Sequence, residues 1–406
     1  MFNMKNILLI SPIYPGPGVA SNATPVVHYF AKEWVKLGYN VRVIHCPSNF
    51  PTPILWGARL FHATLESIFN VSIRTHKLKE IEYKIDEVTV LRSPLQKFKP
   101  HGRYKTKHIK LAAEKVTRWC QKENFSPDVI IGHWVNPCAE IMESLKSHYN
   151  VPTCLVMHDA GADFDTIYKN EWQKMIANID IIGYRSDAIK RKFEAKFGVH
   201  DKWFYCYSGI PEELCDYNVT EKSFFNISKF IFVGMLIPRK HPITLLNALR
   251  ESNITNYHLY YIGKGKQQED IKKLINSDAL LANKVSLVGR IPRLEIKKYL
   301  AEADVFAMIS KNETFGLVYL EAMAAGCITI ASRDEGFDGI IKDGFNGFLC
   351  EAGNKEELTS IINKINCMTP IERRLISDNA RATAIQMTDK MVAKKYLDDL
   401  QQHLSQ

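Results

Sequence analysis

Short apolar runs alternate along the chain with longer segments in which apolar residues recur at helical spacing. The first such group has an apolar run at residues 5–10, a loop rich in proline and glycine, a helical pattern over 24–37 and another apolar run at 40–45. Nearly continuous apolar strands that alternate with helices are typical of a parallel sheet covered on both faces. The pattern therefore predicts an α/β fold with a doubly wound parallel sheet.

The same pattern occurs twice. In the first half, further strands are predicted at 128–131, 153–157 and 179–183, with helices at 105–122, 136–149 and 185–197. In the second half, strands are predicted at 229–233, 257–262, 284–288, 304–308 and 328–331, and the polar, irregular segment 211–228 is typical of a hinge. We therefore predict two domains, 1–214 and 215–387, whose ligands lie outside the carboxyl ends of the strands.

Composition excludes several classes of protein. Of its residues, 46% are hydrophobic and 24% are charged, and this composition excludes a disordered chain. With 406 residues, the chain is too long to form a single hydrophobic core. The opening apolar run is too short for a signal peptide, and no window approaches the ~20 apolar residues of a membrane span. We expect a cytoplasmic protein without a membrane anchor. The cysteines are dispersed and predict neither disulfides nor a zinc site.

Positive charge is concentrated in the first half of the chain. Residues 1–215 contain 28 Lys and Arg against 21 Asp and Glu, out of a net charge of +9 for the chain. Segment 97–110 has six basic residues and no acidic one, namely Lys97, Lys99, Arg103, Lys105, Lys107 and Lys110. Such a segment favours an anionic membrane surface or a phosphate-bearing acceptor. A solvated loop and helix face explains it equally well.

The window 304–326 carries the most chemical information. It predicts a strand, a loop and then a helix that starts near Leu317 and ends at Gly326, and the free amides of such a helix start bind phosphate. Glu321 would lie ~6 Å further along the helix axis, where a ribose diol can donate to its carboxylate. Its apolar neighbours argue against the alternative of a solvated helix face. Glu313, just before the helix, would face the group attached to the terminal phosphate.

At these residues the chain resembles a known family. Glu313 and Glu321 are separated by seven residues, and the match continues through Phe315-Gly316-Leu317 and the Glu-Ala-Met-Ala-Ala-Gly run that ends at Gly326. This resembles retaining glycosyltransferase family 4, within the glycosyl transferases group 1. The resemblance implies the GT-B fold, in which two Rossmann-like domains face each other across a cleft and the last helix, 388–406, packs back on the first domain.

The resemblance also implies an activity. It implies transfer of a sugar, with retention, from a nucleotide-diphosphate sugar, such as a UDP- or GDP-sugar, to a hydroxyl of a glycan or lipid-linked acceptor. It implies no metal and no other cofactor. Neither the base nor the sugar of the donor can be read from the residues.

Site residues follow from the resemblance by position. Glu321 would hold the ribose, and Glu313 would hold the donor sugar. Arg290 and Ile291 would contact the nucleobase, and the distal phosphate would be held by the segment Thr314, Phe315, Gly316 and Leu317.

One position departs from the family pattern. After Gly234 the family usually has an arginine, but this chain has Met235. Lys240 is retained, and we hypothesise that Arg239 replaces the missing charge. In the first domain, His158 would contact the donor sugar, and Gly16 and Gly18 would let the backbone approach the diphosphate. The expected catalytic residues are therefore Glu313, His158, Lys240 and Arg239.

Other function classes remain open. An NAD-dependent oxidoreductase would explain the sheets, but the first strand is not followed by G-x-G-x-x-G, and His45 stands where an acidic residue is expected. A non-catalytic nucleotide-sugar binder is an alternative because Met235 weakens the phosphate site. An inverting GT-B transferase or an epimerase is another.

The acceptor side is the least readable part of the chain. Segment 51–110, with Trp56, Phe61, Phe69 and the basic residues named above, could dock at an anionic membrane and meet a lipid-linked glycan. We therefore expect a peripheral role at the inner face of a bacterial membrane, in surface polysaccharide assembly such as lipopolysaccharide or capsule. No nucleic-acid partner is expected.

Overall fold

The computed structural model describes residues 4–19, 24–60, 76–99, 101–215 and 222–405. The chain divides into two compact units. The first comprises residues 1–185, 190–206 and 393–406, and the second comprises 186–189 and 207–392. The main division thus falls at residues 206 and 207, whereas the sequence placed it at 214 and 215.

The first unit contains an eight-stranded sheet with the order β10-β9-β8-β7-β1-β2-β5-β4. Every neighbouring pair is parallel except β4 and β5. Its strands, with the small pair β3 and β6, are β1 (Asn6–Ser11), β2 (Asn40–His45), β3 (Ser48–Asn49), β4 (Ile81–Ile85), β5 (Val88–Arg92), β6 (Leu95–Gln96), β7 (Val129–His133), β8 (Thr153–Met157), β9 (Ile181–Tyr184) and β10 (Trp203–Tyr205).

Helices connect these strands, and the four that begin at residues 26, 106, 138 and 187 lie close to where the apolar periodicity predicted them, whereas those at 52–60 and 172–177 were not predicted. They are α1 (Val26–Lys36), α2 (Thr52–Leu60), α3 (Thr106–Lys122), α4 (Cys138–Tyr149), α5 (Trp172–Ala177) and α6 (Asp187–Phe197). Strands β1, β7 and β8 are almost completely buried, as near-continuous apolar strands require.

The hairpin of β4 and β5 was not predicted. Asp86 and Glu87 connect the two strands, and both have positive φ, 43° and 64°. Two positive φ values are what a two-residue type I′ turn requires, but the usual sequence signal is Asn-Gly or Asp-Gly. The Asp-Glu pair gave no such signal, so the strands at this edge were missed.

The second unit contains a six-stranded, fully parallel sheet with the order β13-β12-β11-β14-β15-β16. Its strands are β11 (Lys229–Val233), β12 (His258–Ile262), β13 (Val285–Gly289), β14 (Val305–Ala307), β15 (Ile328–Ser332) and β16 (Phe348–Cys350). Its helices, together with the last helix of the chain, are α7 (Pro242–Glu251), α8 (Gln268–Ser277), α9 (Ala279–Ala282), α10 (Arg293–Glu302), α11 (Leu317–Ala324), α12 (Lys355–Cys367), α13 (Pro370–Ile385) and α14 (Asp389–Leu404).

Residues 393–406, which include most of α14, belong to the first unit. The indole nitrogen Nε1 of Trp34 donates to the backbone oxygen of Ala393 at 2.9 Å. Tyr396 packs edge-on against Phe30 and Trp34, with ring centroids 5.3 and 5.0 Å apart. Trp34 and Tyr396 are 0% and 1% exposed, so this end of the chain completes the core of the first unit.

No helix in the described part of the chain combines the length and the apolar content needed to cross a lipid bilayer.

Candidate functional site

The carboxyl ends of two adjacent strands carry the charged residues of the second unit. Strands β11 and β14 are parallel neighbours, so the loops that follow them leave the same edge of the sheet. The loop after β11 carries Lys240, and the loop after β14 carries Glu313. Lys240 Nζ lies 3.4 Å from Glu313 Oε2, and Arg239 Nη1 lies 3.6 Å from the same oxygen. The structure therefore brings three predicted site residues together.

A short 3-10 turn places the two cations. It spans Pro238–Lys240 and is followed by His241, which has a φ of 52°. The backbone nitrogen of Lys311 donates to the backbone oxygen of Arg239 at 2.7 Å. This bond ties the loop after β11 to the loop that carries Glu313, so the cations and the carboxylate share one local framework.

Lys240 is a largely buried cation. Its side chain is 11% exposed, and a Cβ on Gly234 would lie 3.2 Å from its Nζ. Burial lowers the pKa of Lys240, and the Glu313 carboxylate acts in the opposite direction. Because Lys240 and Arg239 share the one carboxylate of Glu313, a second anion beside Lys240 would be favoured.

Glu313 is held by its own loop. Its backbone nitrogen donates to Glu335 Oε2 at 2.8 Å, and Ser310 Oγ donates to its Oε2 at 3.3 Å. The hydroxyl of Tyr319 donates to the backbone oxygen of Met308 at 2.6 Å and lies 2.9 Å from Ser310 Oγ. The carboxylate thus has a fixed position. Glu335 lies outside the motif, and sequence reasoning missed it.

The next element is the helix α11, which begins at Leu317. Gly316 occupies its N-cap position with φ 89° and ψ 70°, and no side chain caps the helix. A side chain at Gly316 would meet the ring of Tyr319 at 2.5 Å, so glycine is required there. The first amides of a helix lack the usual partner four residues earlier. Here the Tyr319 amide donates to the Gly316 backbone oxygen at 3.0 Å, so the amides placed to bind an anion are those of Leu317 and Val318. Thr314 and Leu317 are half-buried, and Phe315 is buried.

Glu321 lies one turn into the same helix and is only 7% exposed. Its Oε1 accepts a hydrogen bond from Arg293 Nε at 2.8 Å and lies 2.6 Å from Arg293 Nη2. Burial raises the pKa of Glu321, and Arg293 opposes that shift. Arg293 was not predicted as a site residue. The available signal was the cost of burying a carboxylate among apolar neighbours, which calls for a cation nearby.

The other predicted donor-site positions are more exposed. The Met235 side chain is 54% exposed, at the position where the family has an arginine. Arg290 is exposed, and Ile291 packs partly buried against the core of the second unit.

In the first unit, His158 follows β8 and is buried. Its Nε2 lies 2.9 Å from His133 Nδ1, and the indole of Trp134 stacks on its ring with centroids 3.7 Å apart. Burial lowers the pKa of both histidines, and the charge of Arg185 lowers them further. Both rings are therefore neutral near pH 7, and one ring donates to the other. Position alone did not reveal this pairing.

The glycine loop of the first unit is shaped by packing. A Cβ on Gly16 would lie 2.4 Å from the hydroxyl of Tyr83, which donates to the backbone oxygen of Pro15 at 2.7 Å. Gly18 has a φ of 72°, the left-handed region that favours glycine. Contact with Tyr83 on the β4–β5 hairpin thus explains Gly16 without a ligand.

Half of the basic segment 97–110 has partners. Lys97 Nζ lies 4.8 Å from the ring centroid of Tyr104, and Lys105 Nζ lies 4.4 Å from that of Phe98. Arg103 is paired with two carboxylates, those of Glu140 at 2.9 Å and Glu171 at 2.7 Å. Trp56 is 64% exposed, whereas Phe61 and Phe69 lie outside the described residues.

Comparison with known proteins places a family match on the same part of the chain. The family profile described as Glycosyl transferases group 1 matches residues 222–383, which contain the charged cluster and α11. An uncharacterized glycosyltransferase of Methanocaldococcus jannaschii is 27% identical over 246 residues, which cover 58% of this chain and 66% of that protein. A GDP-mannose-dependent monoacylated alpha-(1-6)-phosphatidylinositol monomannoside mannosyltransferase of Corynebacterium glutamicum is 24% identical over 243 residues, covering 55% and 62% of the two chains.

The matches thus span less than two thirds of the length of these relatives. Among solved structures, the Anabaena protein HepE in complex with UDP and glucose superimposes with a TM-score of 0.64 at 19% identity, covering 98% of this chain and 100% of that one. At this identity the likeness shows the fold, which is of the GT-B type. The resemblance seen in the sequence is confirmed, since residues 222–383 match the profile of the glycosyl transferases group 1.

Proposed function

We propose that this protein is a retaining glycosyltransferase that moves a sugar from a nucleotide-diphosphate sugar to a hydroxyl of a glycan or lipid-linked acceptor. The observation that carries the proposal is the convergence of Arg239 and Lys240 on Glu313, directly before an uncapped helix start. Cations and open amides favour a diphosphate, and the carboxylate favours the sugar attached to it.

Each part of a donor has a partner in this arrangement. The diphosphate would rest on the amides at the start of α11 and on Lys240. The ribose would donate to Glu321, and the sugar hydroxyls would donate to Glu313. The relatives support such a donor, since one is named as GDP-mannose-dependent and a structural neighbour holds UDP with glucose.

The mechanism depends on electrostatics. As the bond between the anomeric carbon and the diphosphate lengthens, negative charge grows on the phosphate, where Lys240 and the helix amides stabilise it. The acceptor oxygen then forms its bond to the anomeric carbon on the face that the diphosphate leaves, and its proton passes to a donor phosphate oxygen. Glu313 would stabilise the positive charge on the sugar without forming a covalent intermediate. Lys240 and the helix amides thus stabilise the charge on the phosphate, and Glu313 stabilises the charge on the sugar.

The first experiment is a panel of UDP-, GDP- and ADP-sugars. Thermal unfolding should identify one donor base, because a ligand at ~100 times its Kd adds ~2.7 kcal/mol to stability. Transfer with that donor to sugar or lipid-linked acceptors should give a product with the anomeric configuration of the donor.

The panel also separates the alternatives. An inverted product would contradict retention, and donor binding without transfer to any acceptor would favour a non-catalytic binder. Absence of binding by every donor would contradict the proposal as a whole.

Arg239 is proposed to replace the charge missing at Met235, because its guanidinium reaches the Glu313 carboxylate from the same turn as Lys240. We expect Lys240→Ala to abolish measurable transfer and Arg239→Ala to raise the donor KM by ~10-fold, the effect of ~1.4 kcal/mol. Steady-state kinetics against donor concentration checks both. If Arg239→Ala leaves turnover and donor affinity intact while Lys240→Ala is inactive, Arg239 does not replace the charge missing at Met235.

The acceptor remains a separate proposal. We infer a lipid-linked or glycan acceptor in bacterial surface polysaccharide assembly, with a peripheral position at an anionic membrane. The Corynebacterium relative, whose name specifies a phosphatidylinositol mannoside, supports a lipid-linked acceptor. The exposed Trp56 and the exposed Lys99, Lys107 and Lys110 support contact with anionic lipid. The other basic residues of the segment, Lys97, Arg103 and Lys105, contact partners within the protein and contribute less to binding of anionic lipid.

A further inference from the structure

Arg293 and Glu321 form a partly buried ion pair that links two parts of the proposed donor site. Arg293 is the first residue of α10 and directly follows the loop 290–292, whereas Glu321 lies on α11. The guanidinium reaches this carboxylate through two nitrogens, Nε at 2.8 Å and Nη2 at 2.6 Å, and both distances are to the same oxygen, Oε1. The side chains are 31% and 9% exposed, so the pair is held mostly out of water.

The second oxygen of this carboxylate, Glu321 Oε2, differs from Oε1 in its hydrogen bonding. Within the described ranges, no hydrogen bond reaches Glu321 Oε2. A carboxylate has about four lone-pair positions, so a partner on Oε1 alone leaves much of its accepting capacity unused. A ligand that brings hydroxyl groups can use this capacity, because hydroxyl groups donate readily to a carboxylate oxygen.

We propose that Arg293 is a positioning residue for nucleotide recognition, which holds the Glu321 carboxylate by Oε1 and thereby presents Oε2 to the ribose hydroxyls. This inference rests on the proposed function, since it assumes that a nucleotide binds along α11. Arg293 acts through Glu321 and makes no contact with the reacting sugar.

Arg293 affects both the charge and the direction of the Glu321 carboxylate. A carboxylate that is only 7% exposed needs a nearby cation to stay ionised, and the ionised form is the stronger acceptor for a diol. A guanidinium that contacts one oxygen through two of its nitrogens also fixes the direction of the carboxylate. Arg293 thus determines both the charge and the orientation of the Glu321 carboxylate, the group that binds the ribose hydroxyls in this proposal.

A competing interpretation predicts the opposite change in nucleotide affinity when Arg293 is removed. If Arg293 only fills an empty site and must be displaced by the ribose, its removal should tighten nucleotide binding. If it positions Glu321, its removal should weaken the binding of nucleotides that have ribose hydroxyls and leave nucleotides without them unaffected.

The experiment measures the Kd of UDP and of GDP, each against its 2′,3′-dideoxy analogue, by calorimetry on the full chain. Wild type should bind the better of the two ribonucleotides at least 10-fold more tightly than its dideoxy analogue. Arg293→Gln should reduce that ratio to about 1 to 3 by weakening the ribonucleotide alone, and Arg293→Lys should keep an intermediate ratio. Arg250→Gln, which removes the surface pair with Asp278 at 3.4 Å, is the matched control and should keep the wild-type ratio.

A pH series adds a readout that a purely structural role would not move. Since Arg293 opposes the burial that raises the pKa of Glu321, its removal should raise that pKa further. Ribonucleotide binding is lost as Glu321 becomes protonated on lowering the pH. The acidic limb of the affinity profile should therefore move to higher pH in Arg293→Gln, with no such shift for the dideoxy analogue.

The outcomes separate this inference from the proposed function. A wild-type ratio in Arg293→Gln, or tighter ribonucleotide binding, overturns the role of Arg293 and leaves the proposed function intact. A wild-type protein that shows the ratio but transfers no sugar contradicts the proposed function and leaves the role of Arg293 standing. If wild type binds neither UDP nor GDP, nor any donor of the panel, both fail. Should Arg293→Gln fold poorly by circular dichroism, Arg293→Lys provides the comparison, because it keeps the charge but removes the planar guanidinium.

Discussion

Replacing Glu313 by glutamine is expected to lower kcat for sugar transfer by about 10²- to 10³-fold, which corresponds to ~2.7–4 kcal/mol. The substitution keeps the size of the side chain but removes the negative charge that would stabilise the developing positive charge on the sugar. It also leaves Lys240, whose side chain is 11% exposed, without its nearest carboxylate. Donor affinity should change less than kcat, because glutamine still accepts hydrogen bonds from sugar hydroxyls. Steady-state kinetics with the donor identified by the panel checks this.

A matched control is Glu269→Gln, which removes a carboxylate of the second unit from an exposed pair with Lys272 at 2.8 Å. Such surface pairs contribute little, so both kcat and the unfolding temperature should stay close to wild type. A nearly wild-type rate for Glu313→Gln would remove Glu313 from the proposed role. An equal loss of rate in both variants would point to an effect of charge at a distance.

Replacing Gly263 by alanine is expected to destabilise the second unit by about 3 kcal/mol or more. Gly263 follows β12 with a φ of 140°, and an added Cβ would lie only 1.9 Å from the backbone oxygen of Gly234. The neighbouring atom is backbone that is already fixed, because the Gly234 nitrogen donates to the Ile262 oxygen at 2.9 Å. Relief therefore requires the loop to move, and overpacking of this kind costs ~1–3 kcal/mol before the positive φ adds its own strain.

Thermal denaturation should show this loss as a fall of roughly 6–12 °C in the midpoint of the second unit. Gly344→Ala is the matched control: Gly344 also has a positive φ, 73°, but no atom lies within 4 Å of its added Cβ. It should lose only the backbone strain, about 1–2 kcal/mol. Equal losses in the two variants would show that contact with Gly234 is not the cause.

Sequence patterns predicted the central strands well because those strands are buried on both faces. The apolar runs at β1 and β11 are nearly continuous, and short runs of this kind between helical segments are typical of the inner strands of a parallel sheet. The hairpin β4–β5 ends the sheet with β4, an edge strand along which apolar and polar residues alternate. Its turn residues, Asp86 and Glu87, are not the usual ones, so neither signal was present.

The site was predictable where its residues are close in sequence and harder to predict where they are distant. Glu313 and Glu321 follow from one motif, and the structure places Lys240 beside Glu313. Arg293 and Glu335 were missed because they reach the motif from other elements, 28 and 22 residues away from their partners. No local pattern encodes such a contact. The neutral pairing of His158 with His133 was missed for the same reason.

The position of residues 393–406 in the first unit has a consequence for biosynthesis. Trp34 is made early, yet its indole partner at Ala393 lies 359 residues later, after the whole second unit. A ribosome that synthesises this chain therefore begins the first unit first and completes it last. Until then the aromatic surface of Phe30 and Trp34 lacks Tyr396, and a nascent or prematurely ended chain would expose it to chaperones and proteases.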